Sequence, residues 1–244
     1  MTTIAITATK GSPGATTLAL VLANLMSERA PALLVEADAA GGDIAVRSGL
    51  ALDPGLLTLA ASGRRGLDRS SIDRHTQLLP CGALALAGPT SAEQATSALT
   101  GIAAALAQTL TLAHETSRVI IDAGRWDPRS PATDLVESAS IGALVLRPTI
   151  EGVEHARWQL RSLSEHVRRV IAVCIGERPY PRAEVASALA VDEMYVIEND
   201  ARAANAIGLG AARDRWLRRS RLMRSAAVLA DQLLGAPDEA TVSR

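Results

Sequence analysis

A glycine-containing loop between a short apolar run and a helical pattern is the feature that most constrains this chain. Residues 4–8 are apolar apart from Thr7, residues 9–17 read Thr-Lys-Gly-Ser-Pro-Gly-Ala-Thr-Thr, and residues 16–26 have a helical pattern. A strand, a glycine loop and a helix in this order form a phosphate-binding loop, whose amides and helix N-terminus direct partial positive charge at an anion. The chain is therefore expected to fold around an anion site.

The loop lacks the residue that usually carries its charge. In the standard pattern, G-x-x-x-x-G-K-[ST], a lysine follows the second glycine; counted from Gly14, that position is Ala15. The pattern places at Thr16 the hydroxyl that binds Mg²⁺, with an ordinary helix N-cap as the alternative. Gly11 and Gly14 can curl around phosphate oxygens, and Pro13 stiffens the turn between them. The frame of a phosphate site is present without its usual cation.

Composition and charge fit an α/β domain and exclude several classes of protein. Apolar residues make up 48% of the 244 residues and aromatic residues 2%, with no Phe, so the core must be built from aliphatic side chains and Ala. A net charge of −1 argues against a non-specific nucleic-acid coat. There is no signal pattern, and no apolar run approaches the roughly 18 residues of a membrane span. We expect a cytoplasmic protein with Cys81 and Cys174 as core thiols.

Strand and helix patterns alternate along the chain. Strand patterns lie at residues 32–36, 83–87, 118–122, 143–146, 170–175 and 195–197. Helical patterns lie at residues 44–48, 71–77, 91–115, 133–138, 151–167, 182–189, 201–207 and 214–234, while the rest of 51–80 is ambiguous. The alternation predicts an α/β fold with a doubly wound, mostly parallel sheet flanked by helices. We expect one domain over residues 1–234 and a flexible polar tail at 235–244.

Two carboxylates follow predicted strands, as the glycine loop does. Because ligands of doubly wound sheets bind at the carboxyl ends of the strands, we expect Asp38, Asp122 and residues 9–17 to converge on one nucleotide-type site. Asp122 ends an apolar strand and suits the metal-side carboxylate of such a site. Asp38 could position a water or contact the hydration shell of the metal. Either residue could instead be a solvated charge at the end of its strand.

These segments together resemble the ParA/MinD superfamily of deviant Walker A ATPases. Residues 10–17 resemble its K-G-G-x-G-K-T-T motif, and residues 36–38 its D-x-D segment, with Glu36 in place of the first Asp. Residues 120–124 are similar to its Walker B strand. The Gly-Asp-Ile-Ala sequence at 42–45 looks more like the TadZ/CpaE branch, whose phosphate loops are atypical. The resemblance extends in order over about two hundred residues.

The resemblance implies a P-loop NTPase fold, ATP or ADP with Mg²⁺ as ligands, and a homodimer. Nucleotide-binding positions would be Lys10, Gly11, Ser12, Pro13, Gly14, Ala15, Thr16 and Thr17, with Asp200 toward the base. Thr16 and Asp122 would hold the metal. Asp38 and Lys10 would be the catalytic residues, since the family's early lysine reaches the nucleotide of the partner in the dimer.

The resemblance and Ala15 together indicate a function. A charge-assisted hydrogen bond is worth roughly 1.5–3 kcal/mol, so its absence weakens binding without abolishing it, while catalysis loses a preorganised charge. Members of the TadZ/CpaE branch are implied to act as localisation or assembly factors for Flp/Tad-type pili. We therefore expect a pseudo-ATPase that positions a pilus or secretion machine, recruited to the inner face of the membrane or a cell pole.

Two other functions remain open from the sequence. The chain could be a working Mg-ATP-dependent ATPase in which Lys10 supplies the missing charge. It could also be a DNA-partition protein, because the last helical pattern is rich in arginine; the same helix could touch a membrane surface. Ordinary packing with solvated arginines is the simpler interpretation of that helix. Trp126 is expected to be exposed at the dimer face.

Overall fold

The described residues build one mixed sheet. In a computed structural model, which describes residues 2–63, 66–112, 118–209 and 214–235, the strands are β1 Thr3–Ala8, β2 Ala32–Glu36, β3 Gln77–Leu78, β4 Leu84–Leu86, β5 Arg118–Arg125, β6 Ile141–Leu146, β7 Arg169–Ile175 and β8 Met194–Ile197. Their order is β3-β4-β2-β5-β1-β6-β7-β8, and only the short edge strand β3 is antiparallel to its neighbour in this eight-stranded sheet. The predicted doubly wound, mostly parallel sheet is confirmed.

The helices flank this sheet. They are α1 Ala15–Ser27, α2 Ile44–Ser48, α3 Leu56–Ser62, α4 Arg69–His75, α5 Ala92–Leu112, α6 Thr133–Glu137, α7 Ile150–Ser164, α8 Arg182–Leu189, α9 Ala201–Gly208, α10 Arg215–Arg218 and α11 Arg221–Gly235. The sequence did not predict α3, which lies in the stretch left ambiguous. Its first turn is closed by Thr58, whose hydroxyl accepts a hydrogen bond from the Gly55 amide at 3.0 Å.

Helices cover both faces of the sheet, so there are two cores. Ile4 and Ile6 of β1 point into a core shared with α1, α9 and α11. Ala5, between them, points into a second core shared with α3, α5 and α7. This alternation follows from the two-residue period of a strand, and it explains why the strand patterns are continuously apolar.

The prediction of a single helix at 214–234 is wrong, because this segment forms two helices, α10 and α11. After α10 the chain turns, with the Ser220 amide donating to the Leu217 carbonyl at 2.9 Å. The Ser220 hydroxyl then accepts from the Met223 amide at 3.2 Å and caps α11, as serine commonly does at a helix start. Leu217 and Met223 lie in the first core, which fits the packing interpretation of this arginine-rich segment. The predicted tail lies outside the described residues from position 236 onward.

The expectation that no segment matches a membrane span needs a correction at α5. Among the described helices α5 alone is long and apolar enough to cross a membrane by length and composition, with a mean hydropathy of 1.3 over 18 of its 21 residues. Its buried residues, among them Leu99, Ile102 and Leu106, lie in the second core. In this fold α5 is a core helix packed beside α3 and α6. Its predicted extension over 113–115 lies outside the described residues.

Trp126 was predicted to be exposed, and this is wrong. Its side chain is only 5% exposed and belongs to the second core. The indole Nε1 donates to the Ser162 hydroxyl of α7 at 3.1 Å, and the ring makes an edge contact with His166. The chain folds back onto the domain directly after β5, so this aromatic side chain fills the core instead of an interface.

The order of the strands determines where a ligand can bind. The chain leaves β1 toward β2 on one side, returns to β5 between them, and then crosses to β6 on the other side of β1. The carboxyl ends of β1, β2 and β5 are therefore neighbours, and Asp122 is paired in register with both Glu36 and Ile6. Open α/β sheets bind ligands at such a switch point.

Candidate functional site

The loop between β1 and α1 has a backbone that only certain residues allow. Gly11, Ser12 and Gly14 all have positive φ, at 96°, 49° and 116°. A Cβ at Gly11 would meet no atom within 4 Å, so glycine is favoured there by its backbone angle and not by crowding. The start of the loop is fixed to β6 by the Thr9 amide, which donates to the Val145 carbonyl at 2.9 Å.

The first turn of α1 is open to an anion. Its N-cap is Gly14, which has no side chain to accept from the first amides, and no acidic residue lies in the first turn. These amides therefore keep the partial positive charge of a helix start. They border a cavity of about 640 Å³, which we call the phosphate-loop cavity. Its lining consists mainly of residues 11–17 together with Asp38, Asp43, Arg47, Gly124, Arg125, Asp127 and Arg129.

Asp122 is a buried carboxylate with an oxygen that nothing satisfies. It is fully buried. Its Oδ1 accepts from the Gly124 amide at 3.3 Å, whereas Oδ2 has no hydrogen-bond partner among the described residues. Burial raises the pKa of Asp122 from 3.8 to about 6, and the nearby Thr16 side chain is the main influence that lowers it. Thr16 therefore lies within hydrogen-bonding reach of this carboxylate, while Oδ2 is left without a donor among the described residues.

Asp38 lies next to Asp122 at the same edge of the sheet. Its Oδ1 accepts from the Ala40 amide at 2.8 Å. Gly124 has a φ of 63°, and a Cβ there would lie 2.2 Å from Asp38 Cγ, so glycine alone permits this approach. Burial is the main cause that raises the pKa of Asp38, and repulsion from Asp38 contributes to the raised pKa of Asp122. The two predicted carboxylates are thus brought together.

The donor set at this edge fits Mg²⁺. An unpartnered carboxylate oxygen of Asp122 and the hydroxyl of Thr16 are hard oxygen ligands of the kind that Mg²⁺ takes. No group of three or more His, Cys, Asp or Glu that could hold a metal occurs in the described parts of the chain. The site therefore suits a cation whose remaining positions are filled by water and phosphate oxygens, as is usual for Mg²⁺ in nucleotide sites.

Ala15 lies at the position that the usual lysine would occupy. The residue is only 7% exposed, packs against the first core and borders the phosphate-loop cavity. The loop thus keeps its amides and presents no charge from this position.

Lys10 lies outside the phosphate-loop cavity of its own chain. It is exposed and lines a separate cavity of about 340 Å³ with Arg147, Thr149 and His155. Lys10 is not among the residues that line the phosphate-loop cavity, although Gly11 beside it borders both cavities. The role predicted for Lys10 requires a second chain, and it stays a prediction.

Asp200 lies on the other side of the loop. It lines a cavity of about 260 Å³ with Gly14, Thr17, Ile175 and Asn199. Its Oδ1 accepts from the Ala203 amide at 3.0 Å and caps α9, so part of its hydrogen-bonding capacity is structural. This cavity shares loop residues with the phosphate-loop cavity; the base-side role of Asp200 stays a prediction.

Glu36 has a structural role that the sequence reasoning missed. Its buried carboxylate accepts from the amides of Asp43 at 2.6 Å, Ile44 at 2.9 Å and Gly88 at 2.9 Å. We call this arrangement the Glu36 clasp. Desolvation raises the pKa of Glu36 to about 7 against these hydrogen bonds. A Cβ on Gly42 would lie 2.4 Å from its Oε2, so the Gly-Asp sequence after β2 was the available signal.

Arg47 is the second residue that the sequence reasoning missed. It extends from α2 toward the first turn of α1, where its Nη2 donates to Thr17 Oγ1 at 3.2 Å. The same nitrogen donates to the Ala204 carbonyl of α9 at 3.3 Å. The residue lines the phosphate-loop cavity, and its charge lowers the pKa of Asp122. No sequence motif marks it, because its position depends on how α2 packs against α1 and α9.

Solved structures share this architecture over nearly the whole chain. A ParA family ATPase from Chlorobium tepidum TLS matches with a TM-score of 0.77 at 16% identity, covering 94% of this chain and 97% of that one. The cell division ATPase MinD of Pyrococcus furiosus matches at 0.77 and 18% identity, covering 96% and 98%. MinD from Pyrococcus horikoshii OT3, complexed with Mg-ADP, matches at 0.76 and 17% identity, covering 100% and 98%.

The likeness concerns the fold. No protein-family model matches the sequence, and no curated protein matches it. The sheet order and the loop after β1 define the P-loop NTPase class of fold. Within that class the chain has the ParA/MinD type of architecture.

Proposed function

We propose that this protein is a ParA/MinD-like nucleotide-binding pseudo-ATPase of the TadZ/CpaE kind, which helps to position a pilus or secretion machine. The observation that carries the nucleotide part of this proposal is the fully buried Asp122, which lies next to Thr16 and whose Oδ2 has no hydrogen-bond partner among the described residues. A buried unpaired carboxylate is costly, so a chain that keeps one at a phosphate loop has a use for it. A divalent cation is the partner that this geometry fits.

Different residues of the phosphate-loop cavity bind different parts of Mg-ATP or Mg-ADP. Loop amides and the open first turn of α1 bind phosphate oxygens, while Thr16 and Asp122 hold Mg²⁺. The metal neutralises phosphate charge when it is bound. Asp38 is placed to orient a water molecule at the same edge. The Mg-ADP complex of the Pyrococcus horikoshii protein supports this assignment, since that fold is shared over the whole chain.

Slow or absent hydrolysis follows from Ala15. Charge that develops on the phosphates in a transition state needs a fixed positive partner near the loop, and Ala15 supplies none. A protein that binds nucleotide without turning it over is suited to hold one conformation and organise partners. The exposed position of Lys10, away from its own cavity, supports a homodimer in which this lysine serves the other chain.

Calorimetry tests the nucleotide site. Wild type should bind Mg-ATP and Mg-ADP, and Ala15→Lys should bind about 10- to 100-fold more tightly, because it restores a charge-assisted hydrogen bond. Light scattering on the same samples should show a dimer with Mg-ATP. The proposal is overturned if neither protein binds either nucleotide.

Phosphate release separates the pseudo-ATPase from a working ATPase. Wild type and Asp38→Ala should both release phosphate from ATP no faster than it is released in buffer without protein. Turnover in wild type that Asp38→Ala abolishes would instead identify an active enzyme, with Lys10 of the second chain supplying the charge.

A third measurement addresses the cellular role. A fluorescent fusion should localise to the inner face of the membrane or a cell pole, and deletion of the gene should remove surface pili or a secreted product. Retarded migration of duplex DNA at low salt, lost when the exposed arginines of α11 are replaced, would favour DNA partition instead.

A further inference from the structure

The phosphate-loop cavity contains three cations, and they differ in how free their charge is. Arg129 is 88% exposed in its side chain and is paired with both carboxylate oxygens of Asp127. Arg125 is exposed at the end of β5. Arg47 is half-buried, and among the described residues it forms no ion pair. Arg47 is therefore the cation in the cavity that is partly sheltered from water and held in no ion pair by a described residue, although its charge acts on Asp122.

The hydrogen bonds of Arg47 leave most of its donors available. Both bonds, to Thr17 Oγ1 and to the Ala204 carbonyl, come from Nη2 and go to neutral oxygens. No described residue accepts a hydrogen bond from its Nε or Nη1. A guanidinium has five N–H donors in a planar fork that matches two phosphate oxygens at once. The unused side of this fork is available to a ligand.

The backbone that carries Arg47 is held firmly at its start. The Glu36 clasp fixes the amides of Asp43 and Ile44 at the beginning of α2, and the Arg47 amide donates to the Asp43 carbonyl at 2.9 Å. The bond to Ala204 fixes the tip of the side chain from the direction of α9. An arginine held at both ends loses little rotamer entropy when it binds a ligand.

We propose that Arg47 is the phosphate-binding cation of this site, which supplies from α2 the charge that Ala15 does not supply from the loop. Its ligand is the polyphosphate of a nucleoside diphosphate or triphosphate bound at the first turn of α1. The inference rests on the proposed nucleotide function and names a residue that this function needs. It also explains how a phosphate site can persist without the loop lysine.

A double-mutant cycle in which the affinity for Mg-ATP is measured tests the assignment of Arg47. Arg47→Gln should weaken binding of Mg-ATP by about 10- to 100-fold, the value of a charge-assisted hydrogen bond. In the Ala15→Lys background the same substitution should cost much less, because the lysine then carries the charge. Arg161→Gln removes the same charge from an exposed position on α7 and should leave binding unchanged.

The outcomes separate this inference from the proposed function. If wild type binds Mg-ATP and Arg47→Gln binds equally well, the assignment of Arg47 is overturned and the nucleotide site stands. An equal loss in Arg161→Gln would show a general effect of charge and would also overturn it. If neither wild type nor Ala15→Lys binds, both are overturned. Thermal unfolding without nucleotide checks that Arg47→Gln is folded.

A second variant covers the case in which Arg47→Gln does not fold. Arg47→Lys keeps the charge but loses the planar fork. It should bind Mg-ATP more weakly than wild type, and the difference should shrink in the Ala15→Lys background. Full binding by Arg47→Lys in both backgrounds would reduce the role of Arg47 to a point charge and overturn the bidentate geometry.

Discussion

Replacing Asp122 by Asn should stabilise the protein when no metal or nucleotide is present. Burial raises the pKa of Asp122 from 3.8 to about 6, so the ionised carboxylate is less favourable in the folded chain than in the unfolded one. At about 1.4 kcal/mol for each tenfold change in proton affinity, this shift corresponds to a cost of about 3 kcal/mol. Asn removes the charge, and its oxygen can still accept from the Gly124 amide.

The pH dependence of this effect has a definite sign. Below about pH 3.8 the carboxyl is protonated in both states and adds no cost. As pH rises, the unfolded chain loses its proton first, so the stability of the wild type falls until the folded carboxyl ionises near pH 6. The advantage of Asp122→Asn should therefore be largest at pH 8 and roughly half as large at pH 5. Glu36 acts in the same direction, because the Asp122 charge contributes to its raised pKa and is absent from the variant.

Urea and thermal unfolding in EDTA at both pH values measure the difference. Each kcal/mol should raise the melting temperature by roughly 2–4 °C for a chain of this size. Asp192→Asn, at an exposed position, serves as the control and should change nothing. Excess Mg-ADP should reverse the ranking, because ligand stabilises only the protein that binds it. An Asn variant that is less stable than wild type at pH 8 in EDTA would refute the reasoning, since the carboxylate would then already be compensated.

Two further substitutions test features that support the site. Glu36→Asp should lower the free energy of unfolding by about 1–3 kcal/mol, because the shorter side chain leaves buried amides of the Glu36 clasp without an acceptor; urea unfolding measures this, and unchanged stability would show that the amides find another partner. Trp126→Ala should cost about 3–5 kcal/mol, the usual effect of emptying a core aromatic position. Wild-type stability for that variant would contradict its burial against Ser162 and His166.

The sequence was sufficient for the parts of the fold that depend on local pattern. Continuous apolar runs located the buried strands, and a residue at the end of such a strand must lie at the ligand-binding edge of a parallel sheet. The proximity of Asp38 and Asp122 could therefore be predicted from the sequence alone. The strand-loop-helix order around Gly11 and Gly14 likewise determined the shape of the phosphate loop.

Two of the remaining features depend on contacts between distant segments, and the third depends on a local capping serine. Trp126 lies just past a strand end, where its burial requires α7 to pack over it. The break before α11 depends on the Ser220 hydroxyl capping a helix within a pattern that is helical on both sides. Arg47 becomes part of the site only because α2 lies against α1 and α9. The contacts of Trp126 and Arg47 have no signature in the local sequence, whereas Ser220 is a local capping signal inside a continuous helical pattern.

The Glu36 clasp makes the residues allowed at positions 36, 42 and 88 depend on one another. A Cβ at position 42 would overlap the Glu36 carboxylate at 2.4 Å, and one at position 88 would lie 3.2 Å from the Glu36 backbone oxygen and 3.4 Å from its carboxylate. Alanine should therefore be tolerated at position 42 only after residue 36 has become shorter, and a shorter residue 36 should be tolerated only where another acceptor reaches the freed amides. Glu36, Gly42 and Gly88 are therefore expected to change together and not singly.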